Sequence, residues 1–186
     1  MVHKLEEVLK APANDIMDAI LMGFRAQVDV RGKLAELYLF RYLKKLETEG
    51  VIKNLEWRDK DGKPDFQFTY REKSYQMECK NLRNEIYRTP IPSYKVEIQR
   101  TRNSKDGTNT RSYKVDYFDI LAACTFNQNK RWEFLFIKAI DLEVVKHYPE
   151  LLKIMQRVPI TVAPPWKKDL VEVLESMDLR NMASDK

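Results

Sequence analysis

Two carboxylates and an ammonium lie at a spacing that would bring them together on a pair of neighbouring strands. Asp65 follows a proline, and Glu78 and Lys80 come later, separated from each other by one residue. Side chains alternate along a strand, so Glu78 and Lys80 share one face. Carboxylate oxygens suit Mg²⁺, and an ammonium beside them can orient a water or steady developing negative charge. The predicted chemistry is metal-assisted hydrolysis of a phosphodiester.

A hairpin is the element that would bring these groups together. Two strand-like stretches, Asp65–Arg71 and Ser74–Asn81, are separated by a short polar turn. A register that sets Asp65 opposite Lys80 places both, with Glu78, on one face and the apolar side chains on the other. The alternative is a surface hairpin carrying an ordinary Asp–Lys pair across its strands.

The candidate metal ligands lie on this polar face. Asp65 and Glu78 would hold Mg²⁺, and the backbone carbonyl of Cys79 is a further candidate ligand. Lys80 is expected to orient the attacking water or to help deprotonate it. Mg²⁺ keeps several of its waters in such sites and meets the phosphates of a substrate.

A fourth candidate, Glu36, comes from a predicted helix over Arg31–Leu46. It shares an apolar face with Leu39, Phe40 and Leu43 by the spacing of three, four and seven residues. Because an unpaired buried carboxylate is costly, this acid needs a partner. Glu36 is either a third acid of the metal site, acting through water, or the partner of a buried Arg or Lys, Lys80 among them.

The elements around the hairpin indicate an α/β fold. Helical periodicity runs from about Asp15 to Glu49, and the apolar stretch Phe118–Phe126 predicts a strand that is buried on both faces. The remaining expected elements are the strands Val51–Arg58 and Trp132–Ile140 and the helices Asp141–Gln156 and Lys167–Met177. The pattern predicts one α/β/α domain with a mixed sheet of about five strands. It divides into a helical extension (1–30), a catalytic core (31–140) and C-terminal helices (141–186).

The positive charge of the chain is concentrated in one segment. The net charge is +5, and Asn81–Val115 carries all of it, with eight basic and three acidic residues. Such a segment is either a solvated loop or a surface for a polyanion, and its place directly after Lys80 favours double-stranded DNA. The candidate DNA-binding residues are Arg83, Arg88, Lys95, Arg100, Arg102, Lys105 and Arg111.

Composition excludes several other classes. The two cysteines, Cys79 and Cys124, lie in apolar strand-like runs and form no C-x-x-C pair, so neither a disulfide framework nor an Fe–S cluster is expected. The charged N-terminus lacks the apolar stretch of a signal peptide, and no run reaches the length of a membrane span. We therefore expect a cytoplasmic protein.

The order of these motifs resembles the PD-(D/E)xK restriction-endonuclease-like superfamily. The resemblance rests on a helix with an inward Glu36, on Pro-Asp at Asp65 and on Glu-x-Lys at Glu78–Lys80, and Gly32 is similar to a glycine that often precedes the helical acid. It covers about Arg31–Asn81 and, more loosely, the later hairpin. It implies a restriction-endonuclease-like core, hydrolysis with one or two metal ions, and Glu36, Asp65, Glu78 and Lys80 as active residues.

These observations predict a Mg²⁺-dependent DNA endonuclease. The first expectation is a type II restriction enzyme, acting as a homodimer or as a small cleavage subunit with a recognition partner. A structure-specific nuclease of the Holliday-junction or repair type is the second. A non-catalytic DNA-binding module on the same fold is the alternative from a different class.

Overall fold

The computed structural model describes residues 3–60, 62–99 and 111–184 of the 186. The helices are α1 Lys4–Leu9, α2 Ala13–Met22, α3 Phe24–Thr48, α4 Phe126–Asn129 and α5 Leu170–Ser184, with a 3-10 turn at Ala139–Asp141. The strands are β1 Lys53–Trp57, β2 Phe66–Tyr70, β3 Lys73–Tyr87, β4 Ser93–Glu97, β5 Ile120–Cys124, β6 Phe134–Lys138, β7 Val144–Val145, β8 Tyr148–Leu152 and β9 Met155–Pro159. The chain forms two compact units that divide after Leu34, within α3.

The N-terminal unit is helical. His3 caps α1, because its ring accepts a hydrogen bond from the Leu5 amide while Glu6 accepts one from the amide of His3. Gly23 separates α2 from α3. Ile16 is the one buried side chain among residues 3–34. None of the helices in the described part of the chain is long and apolar enough to cross a membrane.

A mixed sheet forms the centre of the second unit. Five strands lie in the order β1-β2-β3-β5-β6, in which β3 and β5 are parallel and the other neighbours are antiparallel. The far end of β3 continues beyond these strands and pairs with β4, which pairs in turn with β9. The α/β fold class with a mixed central sheet is therefore confirmed.

One face of the sheet packs against helices. Leu39 and Leu43 of α3 and Leu174 of α5 are fully buried in the same cluster as Phe66 and Phe68 of β2. The spacing of four residues between the two leucines of α3 supplies its apolar stripe. This layer holds the hairpin from behind and leaves its polar face turned away from the helices.

The opposite face of the sheet packs against strands. Leu121 of β5 and Ile137 of β6 lie in a second buried cluster with Val96 of β4 and Val158 of β9. All five residues of β5 are buried, as the apolar run predicted. In the described chain, the layer on this face comes from β4 and β9, which the sequence did not predict.

The predicted helix over Asp141–Gln156 is wrong. This stretch forms β7, β8 and the start of β9, so α5 is the one helix of eight residues or more within residues 141–184, where two were expected. Pro149 lies in the middle of the stretch and cannot sit inside a helix without breaking it. The buried Gln156 side chain bonds both the amide and the carbonyl of Glu143, which fixes the strands together.

The register of the β2–β3 hairpin differs from the expected one by two residues. Gln67 lies opposite Gln76, and the same register continued outward brings Asp65 opposite Glu78 rather than Lys80. Because side chains alternate along a strand, a shift of two residues leaves every side chain on its predicted face. The predicted faces therefore survive the wrong register.

The turn explains the difference. Tyr70 pairs with Lys73, so the turn consists of Arg71 and Glu72 alone. Both have positive φ, at 43° and 63°. Two-residue turns of this kind favour Asn-Gly, because ordinary side chains are strained in the left-handed region. The expected register also has a two-residue turn, at Glu72 and Lys73, and without a glycine the sequence does not mark which two residues form it.

Replacing Glu72 by glycine should therefore stabilise the protein. Glu72→Gly removes left-handed strain and should raise the free energy of unfolding by about 1 kcal/mol. Urea denaturation measures the change. Glu72→Ala is the control, because it also removes the exposed ion pair with Lys53 but keeps the Cβ. A gain that is equal in the two variants would show that backbone strain is not the cause.

Candidate active site

Asp65 lies at the open end of the hairpin, one residue before β2. The β2–β3 ladder ends with the pair Phe66 and Met77, so the next amide on that edge of β3, that of Cys79, has no partner in β2. That amide donates to Asp65 Oδ2 at 2.8 Å, which fixes the carboxylate beside β3. Because the N–H and C=O of a strand residue point to the same edge, we expect the Cys79 carbonyl on this side as well.

Glu78 is a buried carboxylate with one satisfied oxygen. Its residue is 3% exposed. Oε1 accepts a hydrogen bond from the Tyr113 hydroxyl at 2.8 Å and a short one from Lys80 Nζ, while Oε2 is buried without a hydrogen-bond partner among the described residues. A buried carboxylate oxygen without a donor is costly, so this atom calls for a ligand that the described residues do not supply.

Burial and charge repulsion make Asp65 hard to ionise. Burial is the largest cause and the charge of Glu78 the next, while Lys80 acts in the opposite direction and Glu36 adds a smaller repulsion. Together they raise the pKa of Asp65 to about 7. A divalent cation would offset this repulsion, because it favours the ionised form.

Lys80 is held as an ammonium. Burial alone would lower the pKa of Lys80, but the carboxylates of Glu78 and Asp65 outweigh it, and the pKa lies well above its ordinary value. The side chain therefore carries a positive charge at neutral pH. In this state it can donate hydrogen bonds and stabilise negative charge, but it cannot accept a proton.

Glu36 lies within electrostatic reach of the cluster. Its Oε2 accepts a hydrogen bond from Trp57 Nε1 at 3.1 Å, and the side chain is half-buried. Its charge contributes to the raised pKa of Asp65, which places the two carboxylates within electrostatic reach. A third-acid role for Glu36 stays a prediction.

The other predicted metal ligand, Cys79, and the size of the donor set limit which metal could bind. The Cys79 side chain is buried in the apolar cluster beneath the sheet, so this residue can offer a metal only its carbonyl. Within the residues that the structure describes, no three His, Cys, Asp or Glu side chains are grouped to hold a metal. The candidate donor set is therefore two carboxylates, Asp65 and Glu78, and the buried Oε2 of Glu78 has no hydrogen-bond partner among the described residues. Two carboxylates with several waters fit Mg²⁺.

The predicted DNA-binding residues lie in different environments. Arg83 is ion-paired with Glu97 at 2.6 Å, Arg88 is exposed, and Lys95 lies over the ring of Tyr87 at 4.6 Å. Arg111 is half-buried. Three further candidates fall outside the described residues: Arg100, Arg102 and Lys105.

Tyr113 is a member of the site that the sequence did not assign. Its hydroxyl reaches Glu78 across 35 residues of sequence, and its ring stacks on Tyr117 at 4.5 Å. Burial and the charge of Glu78 raise the pKa of Tyr113 well above its ordinary value, so it remains a donor. No local motif marks such a contact, because it depends on how two distant segments meet.

Comparisons with known proteins leave the family open. No family model matches the chain, and no curated protein matches its sequence. A solved structure of a bacterial homing endonuclease, I-Ssp6803I, overlaps with a TM-score of 0.48 and 14% identity, over 85% of this chain and 97% of that one. An overlap at this level assigns neither a family nor a function to the chain.

The electrostatics of Asp65 predict a pH-dependent gain in stability for Asp65→Asn. The pKa of Asp65 is raised by folding, so its contribution is intact below the unfolded pKa and is lost as pH rises towards about 7. In EDTA, the variant should therefore exceed wild type little at about pH 5 and by on the order of 2 kcal/mol at about pH 8. Urea denaturation at the two pH values measures it. If the stability difference between the two proteins does not grow with pH, folding does not raise the pKa of Asp65.

Proposed function

We propose that this protein is a Mg²⁺-dependent endonuclease that hydrolyses phosphodiester bonds of double-stranded DNA. The observation that carries the proposal is the buried Glu78 carboxylate, whose Oε2 has no donor among the described residues while Asp65 and Lys80 lie beside it. Such an arrangement destabilises a protein unless a cation and an anionic substrate complete it.

Asp65 and Glu78 are the residues that would hold the metal. A bound Mg²⁺ supplies Lewis-acid stabilisation of a phosphoryl oxygen and lowers the pKa of a coordinated water. The contribution of the chain is to orient the two carboxylates: the Cys79 amide fixes Asp65, and the Tyr113 hydroxyl fixes Glu78. This preorganisation is what separates a metal site from two acids on a surface.

Lys80 acts as a fixed cation. The carboxylate of Glu78 holds its ammonium, and its raised pKa keeps it charged. It would donate to the attacking water or to a phosphate oxygen and stabilise the negative charge that develops there. Of the two roles that the sequence suggested, orientation and deprotonation, the ammonium state supports orientation.

The substrate assignment rests on charge. Arg88 is exposed and Lys95 is half-buried, and both lie on strands or loops that follow directly from Lys80 along β3 and β4. Cations in such positions contact phosphates and fix the register of a duplex without reading its sequence. A polyanion is the partner that this segment fits.

Within nucleases, we propose the PD-(D/E)xK type and a restriction role, alone or as a cleavage subunit. Support comes from the arrangement of Asp65 at the head of one strand and Glu78 and Lys80 on the next, with Glu36 on a helix behind. A junction or repair nuclease would share this site and differ in the DNA that it cuts. Discrete fragments from plasmid indicate restriction, whereas cleavage of branched DNA regardless of sequence indicates the alternative.

Metal binding is the first test. Isothermal titration with Mg²⁺ should show binding to wild type that Asp65→Asn and Glu78→Gln abolish, because each removes a ligand charge. The control is Glu72→Gln, which neutralises an exposed acid on the same hairpin. Mg²⁺ should also raise the melting temperature of wild type but not that of Asp65→Asn. Equal binding by all four proteins would contradict the site.

Cleavage is the second test. Supercoiled plasmid incubated with Mg²⁺ should be cut by wild type, and Asp65→Asn and Lys80→Gln should each lose activity by at least about a hundredfold. Lys73→Gln is the matched control for Lys80, since it removes an exposed ammonium from the same strand. Cleavage that persists in both site variants would overturn the catalytic assignment. DNA binding without metal-dependent cleavage in any protein would favour a non-catalytic module.

A further inference from the structure

A small polar pocket lies on the side of the hairpin that carries the candidate active site. It has a volume of about 250 Å³. Three parts of the chain line it: the turn before β2, the start of β3 and the segment before β5. The lining residues are Gly62, Lys63, Pro64, Gln76, Lys114, Asp116 and Tyr117.

Three connections join the pocket to the active site. Pro64 directly precedes Asp65 in the chain. Gln76 lies two residues before Glu78 on β3, so both side chains share one face and stand about 7 Å apart along the strand. Tyr117 stacks on Tyr113, whose hydroxyl bonds Glu78. The pocket is therefore next to the site, at a separation comparable to that of successive phosphates on a DNA strand.

The backbone fixes the segment that carries Lys114. The Tyr113 carbonyl accepts from the Leu152 amide at 2.9 Å, and the Val115 amide donates to the Glu150 carbonyl at 3.0 Å. Lys114 thus forms a bridge to β8. Its ammonium projects from an anchored strand-like segment rather than from a free loop, which lowers the entropic cost of holding a ligand.

Within the described residues, neither of the two lysine ammonium groups at the pocket is paired with a carboxylate. Lys63 and Lys114 are exposed, and within the described ranges neither forms an ion pair. Asp116, also exposed, lines the same pocket and would repel an anion. An anionic ligand would be attracted by the two lysines and repelled by Asp116. A purely structural role of these residues would not produce such opposite effects on binding.

We infer that this pocket binds the DNA phosphate next to the scissile one, held by Lys63 and Lys114. The inference rests on the proposed function, since it takes Asp65 and Glu78 as the place of cleavage. The two exposed ammonium groups at the pocket fit the negative charge of a phosphodiester group. Lysines contact phosphate as point charges, so the pocket positions the strand and does not read its sequence.

DNA binding measured in Ca²⁺ tests the inference apart from cleavage. Fluorescence anisotropy with a labelled duplex should show several-fold weaker binding for Lys63→Gln/Lys114→Gln, and the slope of log affinity against log salt should fall by about 1, because the two lysines neutralise one phosphate. Asp116→Asn should bind more tightly than wild type. Lys53→Gln/Lys73→Gln is the matched control, because it removes two exposed lysines from the hairpin region.

The outcomes separate this inference from the proposed function. If Lys63→Gln/Lys114→Gln keeps the salt slope of the control while wild type binds and cuts DNA, the pocket is not a phosphate subsite and the active site stands. Weaker binding by Asp116→Asn would also overturn the inference, because it would mean that the acid attracts the ligand. If wild type neither binds nor cuts DNA, the proposed function fails and the inference with it. Unchanged Mg²⁺ binding by Lys63→Gln/Lys114→Gln would show that the metal site is intact.

Discussion

The burial of the Glu78 carboxylate is the interaction on which the rest of the site depends. One oxygen is bonded by Tyr113 and Lys80, and the other has no donor among the described residues. A carboxylate in this position is stable only if neighbouring charges balance it. Lys80 balances one charge, but Asp65 adds another, and burial together with the charge of Glu78 raises the pKa of Asp65 to about 7. A cation at this cluster, as we propose, would restore the balance.

The sequence predicted the faces of the hairpin because alternation is a local property. Phe66, Phe68 and Met77 are buried on one face and Glu78 and Lys80 lie on the other, as their spacing required. The register was predicted wrongly because it depends on the turn, which here lacks its usual glycine. The error was harmless to the faces because it was an even number of residues.

The features that could not be predicted from the sequence are long-range contacts. The contact of Tyr113 with Glu78 and the pairing of β4 with β9 join segments that share no local pattern. In the stretch Asp141–Gln156, apolar residues recur at helical spacing, but burial of Leu142 and Leu152 in the second cluster favours the observed strands. Tertiary packing overrides a periodic signal when the periodic stretch is short and contains a proline.

The charges around the site follow an order that suits phosphoryl transfer. Two carboxylates and one ammonium leave the centre with a net negative charge, which attracts a divalent cation and would repel a bare phosphate. Lys63 and Lys114, in the neighbouring pocket, are positively charged. Under the proposed function, they would hold the DNA strand before a metal ion neutralises the carboxylates of Asp65 and Glu78. Under the proposed function, an anionic substrate would meet attraction at the flank and a metal-dependent centre beside it. Binding and cleavage would then be separable, since the first would depend on the lysines and the second on the acids.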